Sequence, residues 1–262
     1  CGAVESYKKA VNLRKELFGE DNKEFEISKN ALDNSLKLLN NKISQINELN
    51  ENIDFIKKAK KAIEFSGNIE TTEYVNILER LSEFYMEQKN VDEAINTLKY
   101  CIVLGKRIEN FDEKRMIKNI ETLALFLDSN ERYIDAVEYF SELALMVEKV
   151  YGEGLEYART LTKTGQAHFK LKRTKETLIM YQKACEIFER LGSEDLYDVK
   201  RKIADIEYLS GNKQAAIEIY NNIILKNGKH ALNKNEISRV AEDYKSKKQY
   251  LKFFSLKLGL GK

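Results

Sequence analysis

Residues 133–161 read YIDAVEYFSELALMVEKVYGEGLEYARTL, and residues 91–108 read VDEAINTLKYCIVLGKRI. Each holds a small residue, a large apolar one four places on, and another apolar one three places further: Ala94, Leu98, Cys101 and Ala136, Phe140, Leu143. Steps of four and three return to one face of an α-helix. Each stretch therefore predicts an amphipathic helix whose small lead residue lets a second helix come close. Thr177, Tyr181, Ala184 and Ala216, Tyr220, Ile223 repeat the pattern, and the four leads are separated by 42, 41 and 39 residues. Upstream, Ala3, Tyr7, Ala10 fits well and Asn52, Ile56, Ala59 poorly; downstream, Tyr250 and Phe254 form a degenerate copy whose register is open by one residue. A fixed period near 40 means a stacked array, because one unit cannot bury its own apolar face.

A partner helix is expected before each clear copy, at Tyr74–Gln88, Glu113–Leu127, Leu155–Lys170 and Leu196–Leu209. Short polar turns link the partners, such as Lys89-Asn90 and Gly211-Asn212, which suits antiparallel helix pairs. Composition agrees. The 262 residues include no Pro and 12 Gly, with 43% hydrophobic and 33% charged. Few breakers and many good helix formers argue for helix nearly throughout. The 44 basic and 42 acidic residues leave +2, so no nucleic-acid partner is expected. No apolar run reaches the roughly 18 residues of a membrane span.

The repeat skeleton resembles the tetratricopeptide repeat, L-G-x2-Y followed by A-x3-F. Leu81-Ser82-x2-Tyr85 with Ala94 matches best; Gly165 and His168 take the Gly and Tyr places before Thr177, and Ile203-Ala204 the Leu-Gly places before Ala216. The longer period and Glu148-Lys149-Val150-Tyr151-Gly152, running on to Ala158 and Leu161, look like the kinesin-light-chain subclass, although its His-Pro is absent. The resemblance implies an all-α, right-handed α-α superhelix, a TPR-like solenoid of about six helical hairpins. It also implies a non-catalytic scaffold or adaptor that binds a partner protein or peptide in its concave groove.

One array is expected over 1–262. Its N-terminal end falls within a repeat, 25–65 is an irregular repeat or a coiled-coil segment carrying Leu36, Leu39, Ile43, Ile46 and Ile53, and 227–262 is a degenerate closing repeat. The apolar stretch Tyr250–Leu258 closes the last repeat or offers a self-association surface, and the ends as a whole are candidates for self-association. Cys1, Cys101 and Cys185 are odd in number, and the last two lie in apolar stripes. A reducing, cytoplasmic setting follows from that pattern. A lipoprotein anchored through Cys1 is the alternative.

Catalytic signals are few. There are two histidines, His168 and His230. No Cys/His spacing suits zinc and no phosphate-binding loop occurs, so no cofactor or metal is expected. His168 stands at a packed aromatic place. The groove is more informative. On the helix before Thr177, Arg159, Lys163, Gln166 and Lys170 follow one stripe opposite Leu161, Gly165 and His168. Arg201 and Lys202 lie at matching places one unit on. Earlier units present Glu79, Glu83, Glu87, Glu121 and Asp128. The expectation is a groove acidic at its early end and basic later, either as ordinary solvated charge or as a seat for an acidic peptide. In the second case Lys163→Glu with Arg201→Glu abolishes peptide binding. Lys37, Asn41 and Lys118 fit three places of a co-chaperone carboxylate clamp, but Arg80 and Thr122 depart from it. A peptide-sensing regulator and a non-catalytic subunit of an enzyme complex stay open as alternatives.

Overall fold

The computed structural model describes residues 2–44, 49–67, 69–249 and 252. Cys1, Ile46 and the 250–258 stretch apart from Lys252 lie outside the described residues. Those described form twelve α-helices and one short 3-10 turn, with no strand. No helix among them is long and apolar enough to cross a membrane. The chain divides into two compact units, Cys1–Arg132 and Tyr133–Lys262.

The first unit holds α1 (Gly2–Phe18), α2 (Lys23–Ser44), α3 (Leu49–Ser66), α4 (Thr72–Glu87), α5 (Val91–Arg107) and α6 (Glu113–Ser129). The irregular 25–65 stretch thus forms two helices, both packed against α4. Ile56, Ala59, Tyr74, Leu78, Leu81 and Cys101 lie in one continuous core. Fully burying a large apolar side chain contributes about 1.5–3 kcal/mol, and Ile56, Tyr74 and Leu81 are 0–1% exposed. Side-chain oxygens cap the starts of α4 and α6. Thr71 accepts from the Tyr74 amide at 3.2 Å, and Asp112 accepts from the Lys114 and Arg115 amides at 2.8 and 3.0 Å, each satisfying helix donors that have no partner inside the helix.

The second unit holds α7 (Tyr133–Tyr151), α8 (Leu155–Lys170), α9 (Thr174–Leu191), α10 (Asp195–Leu209), α11 (Lys213–Asn227), a 3-10 turn (Lys229–Ala231) and α12 (Lys234–Ser246). Each helix packs on the next. The leads Ala94, Ala136, Thr177 and Ala216 are all 0% exposed. On α1, by contrast, Ala3 is exposed and Tyr7 is 39% exposed. Asn233 and Glu236 close a reciprocal capping box at the start of α12.

Turns repeat as faithfully as helices. The link between the two helices of a hairpin carries one left-handed residue, Lys89, Glu131, Lys172 and Gly211, and Lys248 takes the same conformation after α12. The next amide then bonds back across the helix end, as from Asn90 to Tyr85 (2.9 Å), Arg173 to His168 (3.0 Å) and Gln249 to Tyr244 (2.8 Å), which closes the last turn. Each clear lead lies five residues after a left-handed residue, Ala94 after Lys89, Ala136 after Glu131, Thr177 after Lys172 and Ala216 after Gly211; the degenerate copy at Tyr250 and Phe254 lies outside the described residues.

Candidate protein-binding face

Helix α8 is held on two sides, by α7 and α9. Tyr157, Ala158, Leu161, Thr164, Gly165 and His168 are its buried residues that matter most. The remaining strip runs through Arg159, Lys163, Gln166 and Lys170, with Thr162 and Phe169 beside it. Arg159, Gln166, Phe169 and Lys170 are exposed, and Lys163 is half-buried. Phe169, which the charge pattern did not single out, is 43% exposed.

Contacts between helices, however, already engage much of this charge. Arg159 donates from Nε to Asp195 on α10 (2.9 Å) and from Nη1 to Glu156 (3.0 Å). Arg201 lies 3.4 Å from Glu236 on α12 and 3.7 Å from Asp198. Lys202 lies 3.6 Å from the same Asp198. The Lys170 ammonium sits 5.0 Å from the Tyr133 ring centre. In the first unit, Arg115 on α6 grips both carboxylate oxygens of Glu79 on α4 at 2.9 Å, and Asn119 adds a 2.7 Å bond to the same group. Glu83 pairs with Arg80 at 3.2 Å. Glu87 is exposed, while Glu121 and Asp128 are half-buried.

These pairs share a geometry. Glu79–Arg115 and Arg159–Asp195 span 36 residues and Asp205–Arg239 spans 34; Arg201–Glu236 has the same reach. Each joins the first helix of one hairpin to the first helix of the next. The sequence signal was present as opposite charges just under one period apart. It stays invisible until helix rotation is known. Tyr220 reinforces one rung, donating to Asp205 at 2.7 Å while Arg239 donates to its hydroxyl at 2.9 Å. Two places of the clamp are also engaged locally: Arg80 with Glu83, and the Thr122 hydroxyl with the Lys118 carbonyl at 2.8 Å.

Reactive groups are poorly placed for chemistry. Cys101 and Cys185 are free and buried. Burial pushes both thiols up, Cys185 to about 11, and the protonated form is a weak nucleophile. His168 is 9% exposed and its Nδ1 has no hydrogen-bond partner. Burial, and then the Arg173 charge, holds its pKa below the ordinary value. Among the described residues, no three of His, Cys, Asp or Glu gather to hold a metal ion.

The comparisons agree with this architecture. The tetratricopeptide repeat profile matches residues 116–190. A kinesin-light-chain-type protein of Podosopora anserina with nearly identical TPR-like repeats is 15% identical, with a TM-score of 0.51 over 68% of this chain and 89% of its own. BtubC (BKLC) from P. vanneervenii is 14% identical, TM-score 0.52, over 84% and 88%. The apo form of RapI is 12% identical, TM-score 0.52, over 98% and 90%. No curated protein matches by sequence. Likeness at such identities speaks to fold alone. The matched profile, with the sealed small leads Ala136 and Thr177 inside it, shows tetratricopeptide-type repeats over residues 116–190.

Proposed function

We propose that the chain is a non-catalytic protein-interaction scaffold, and that the α8 face of its second unit seats a partner segment bearing acidic side chains. The observation that carries this reading is the α8 strip. A helix packed on two sides keeps Gln166, Phe169 and Lys170 exposed, with Lys163 beside them. Glutamine bonds a peptide backbone, lysine attracts carboxylates, and an exposed aromatic offers apolar contact. Repeat folds of this type serve protein binding in general. Arg159 and Arg201 contribute differently, as inter-helix struts that hold the strip's neighbours in place.

The struts change the experiment. Arg201→Glu would set a second carboxylate against Glu236, which is 1% exposed, and would perturb folding as well as binding. The informative variant is Lys163→Glu with Lys170→Glu. A photo-crosslinking residue placed at Gln166 in the full-length protein is expected to capture a partner in the source cell. The same probe at Leu225, 75% exposed on α11, is expected to capture none. The lysine variant should lose the Gln166 adduct while its circular dichroism stays unchanged. Equal capture at both positions, or an adduct indifferent to the two lysines, would overturn the assignment.

A further inference from the structure

Two grooves in the molecule are the same groove written twice. In the first unit, a groove of about 530 Å³ runs between α3 and α5 with α4 as its floor. In the second, one of about 370 Å³ runs between α9 and α11 with α10 as its floor. Their walls correspond position by position. Lys57, Lys60, Lys61 and Glu64 follow Asn52 by the same steps at which Gln182, Cys185, Glu186 and Glu189 follow Thr177. On the floors, Leu78 and Leu81 stand where Lys200 and Ile203 stand, counted back from the left-handed Lys89 and Gly211.

Equal geometry makes the chemical difference informative. In the second unit the floor residue Lys200 reaches up to the wall and pairs with Glu189 at 3.2 Å. A charged strut thus crosses the groove. In the first unit the equivalent floor place is Leu78, so no charged residue at that place crosses the groove to the wall. Instead α3 presents Lys60 and Lys61 three and four residues after Lys57, each a neighbour of it on the helix surface. Lys57 and Lys61 are exposed. Lys60 pairs with Glu64 at 2.6 Å, and Tyr74 donates to the same Glu64 at 2.7 Å. The Lys57 ammonium sits 5.6 Å from the Phe84 ring centre. The opposite wall is polar and uncharged at Asn96, Thr97 and Tyr100, with Glu93 at its end.

We propose that the α3–α5 groove is a second docking site, distinct from the α8 face, and that it takes an acidic segment of a partner protein with one apolar side chain. The apolar side chain enters over Leu78 and Leu81. Flanking carboxylates meet Lys57 and Lys61, and the backbone bonds to Asn96 and Thr97. The volume lies within the ~300–1,000 Å³ range of sites that take one anchored group. A low-dielectric floor beneath the lysines strengthens their attraction for a carboxylate relative to open surface.

The test is fluorescence anisotropy on the full-length protein, with a fluorescein-labelled decapeptide of Asp and Glu carrying one central Leu. Saturable binding is expected, weakened at least tenfold by Lys57→Glu with Lys61→Glu and similarly by Thr97→Trp, which fills the groove without changing charge. Lys58→Glu, one place off the groove wall on the same helix, should change affinity less than twofold. The peptide with Leu replaced by Glu should bind at least fivefold more weakly. Four outcomes would overturn the proposal: no binding to the wild-type protein; Lys58→Glu as damaging as the groove pair; undiminished binding of the Leu-free peptide, which marks a simple anion site; or binding lost through Lys163→Glu but not through the groove variants, which moves the peptide to α8.

Discussion

Gly165 tests the packing argument most sharply. It occupies the small place on α8, facing Tyr181 on α9. A methyl group there would lie 2.6 and 2.7 Å from Tyr181 Cε1 and Cδ1, and 3.2 Å from Met180 Cβ. Carbon atoms pack best at about 3.5–4.0 Å, so the ring must retreat by roughly 1 Å. Tyr181 is 2% exposed, and Ala184 and Phe188 beside it on α9 are 0 and 1% exposed, which leaves the ring little room. Overpacking of this sort costs ~1–3 kcal/mol. A clash with a buried ring belongs near the top of that range, offset by the ~1 kcal/mol that Ala gains over Gly inside a helix. Gly165→Ala should therefore destabilise the protein by about 2 kcal/mol. With a urea slope of about 2 kcal/mol per molar, the unfolding midpoint followed by circular dichroism should fall by about 1 M. Tyr181→Leu removes the ring, and the double variant should show a favourable coupling of similar size to the single penalty. Gly105 is the contrast. The atom its methyl would meet first is Cε of Met116, the free end of a flexible chain, so Gly105→Ala should shift stability by less than about 1 kcal/mol. A Gly165→Ala protein as stable as the parent, or strictly additive losses in the double variant, would refute the claim that this glycine is required by close helix approach.

The remaining predictions concern titration, the struts and the turns. The buried His168 has a pKa depressed in the folded state, so as pH falls below the ordinary 6.5 the unfolded chain takes up a proton that the folded chain refuses. Stability should be full above that pH and decline down to the folded pKa; His168→Gln should flatten this part of the profile in urea titrations at stepped pH. Arg115→Met strands Glu79, a carboxylate whose side chain is only 23% exposed. It should cost more than Arg115→Met combined with Glu79→Gln, with a coupling of about 1–2 kcal/mol in a double-mutant cycle. Lys172 holds a left-handed backbone at φ 59. Replacing it with Gly should raise stability by roughly 0.5–1 kcal/mol, read as an upward shift of the thermal midpoint.

Much of the fold was legible because its cause is local. Lead residues had to be small and sealed, and Ala94, Ala136, Thr177 and Ala216 are. The partner helix Leu155–Lys170 coincides with α8, and the others differ from α4, α6 and α10 by one or two residues at an end, where caps such as Thr71 decide the boundary rather than periodicity. Even the poorly fitting Asn52 copy proves to be in register, since the groove positions counted from it match those counted from Thr177. The charged residues were another matter. Their exposure follows from helical spacing, but their partners sit on another helix, and the rotation between helices is a tertiary quantity. Arg159 and Arg201 looked like ligand-binding groups because nothing local told of Asp195 and Glu236. A buried glutamate already committed to a helix cap is a particularly opaque partner for an arginine 35 residues away.

This difference indicates where function is written in such a chain. Every hairpin solves the same packing problem, so residues that seal the core repeat and carry little information about a partner. Information sits where equivalent places diverge. At one floor position the two units chose Leu78 and Lys200, and the neighbouring wall changed with it, from Lys60 and Lys61 to Cys185 and Glu186. A lysine on the floor satisfies the wall from within and spans the groove. A leucine there offers the wall's lysines no charge from the floor, and Lys57 and Lys61 stay exposed along the groove. The same reasoning separates Arg159, which the next hairpin's Asp195 engages, from Gln166, exposed about two turns further along the same face, and Phe169 beside it. Because a strut is settled within the chain while an exposed group facing a groove is settled only by a visitor, the substitutions that alter partner choice without altering stability are expected at Lys57, Lys61 and Gln166 rather than at Arg115, Arg201 or Arg239.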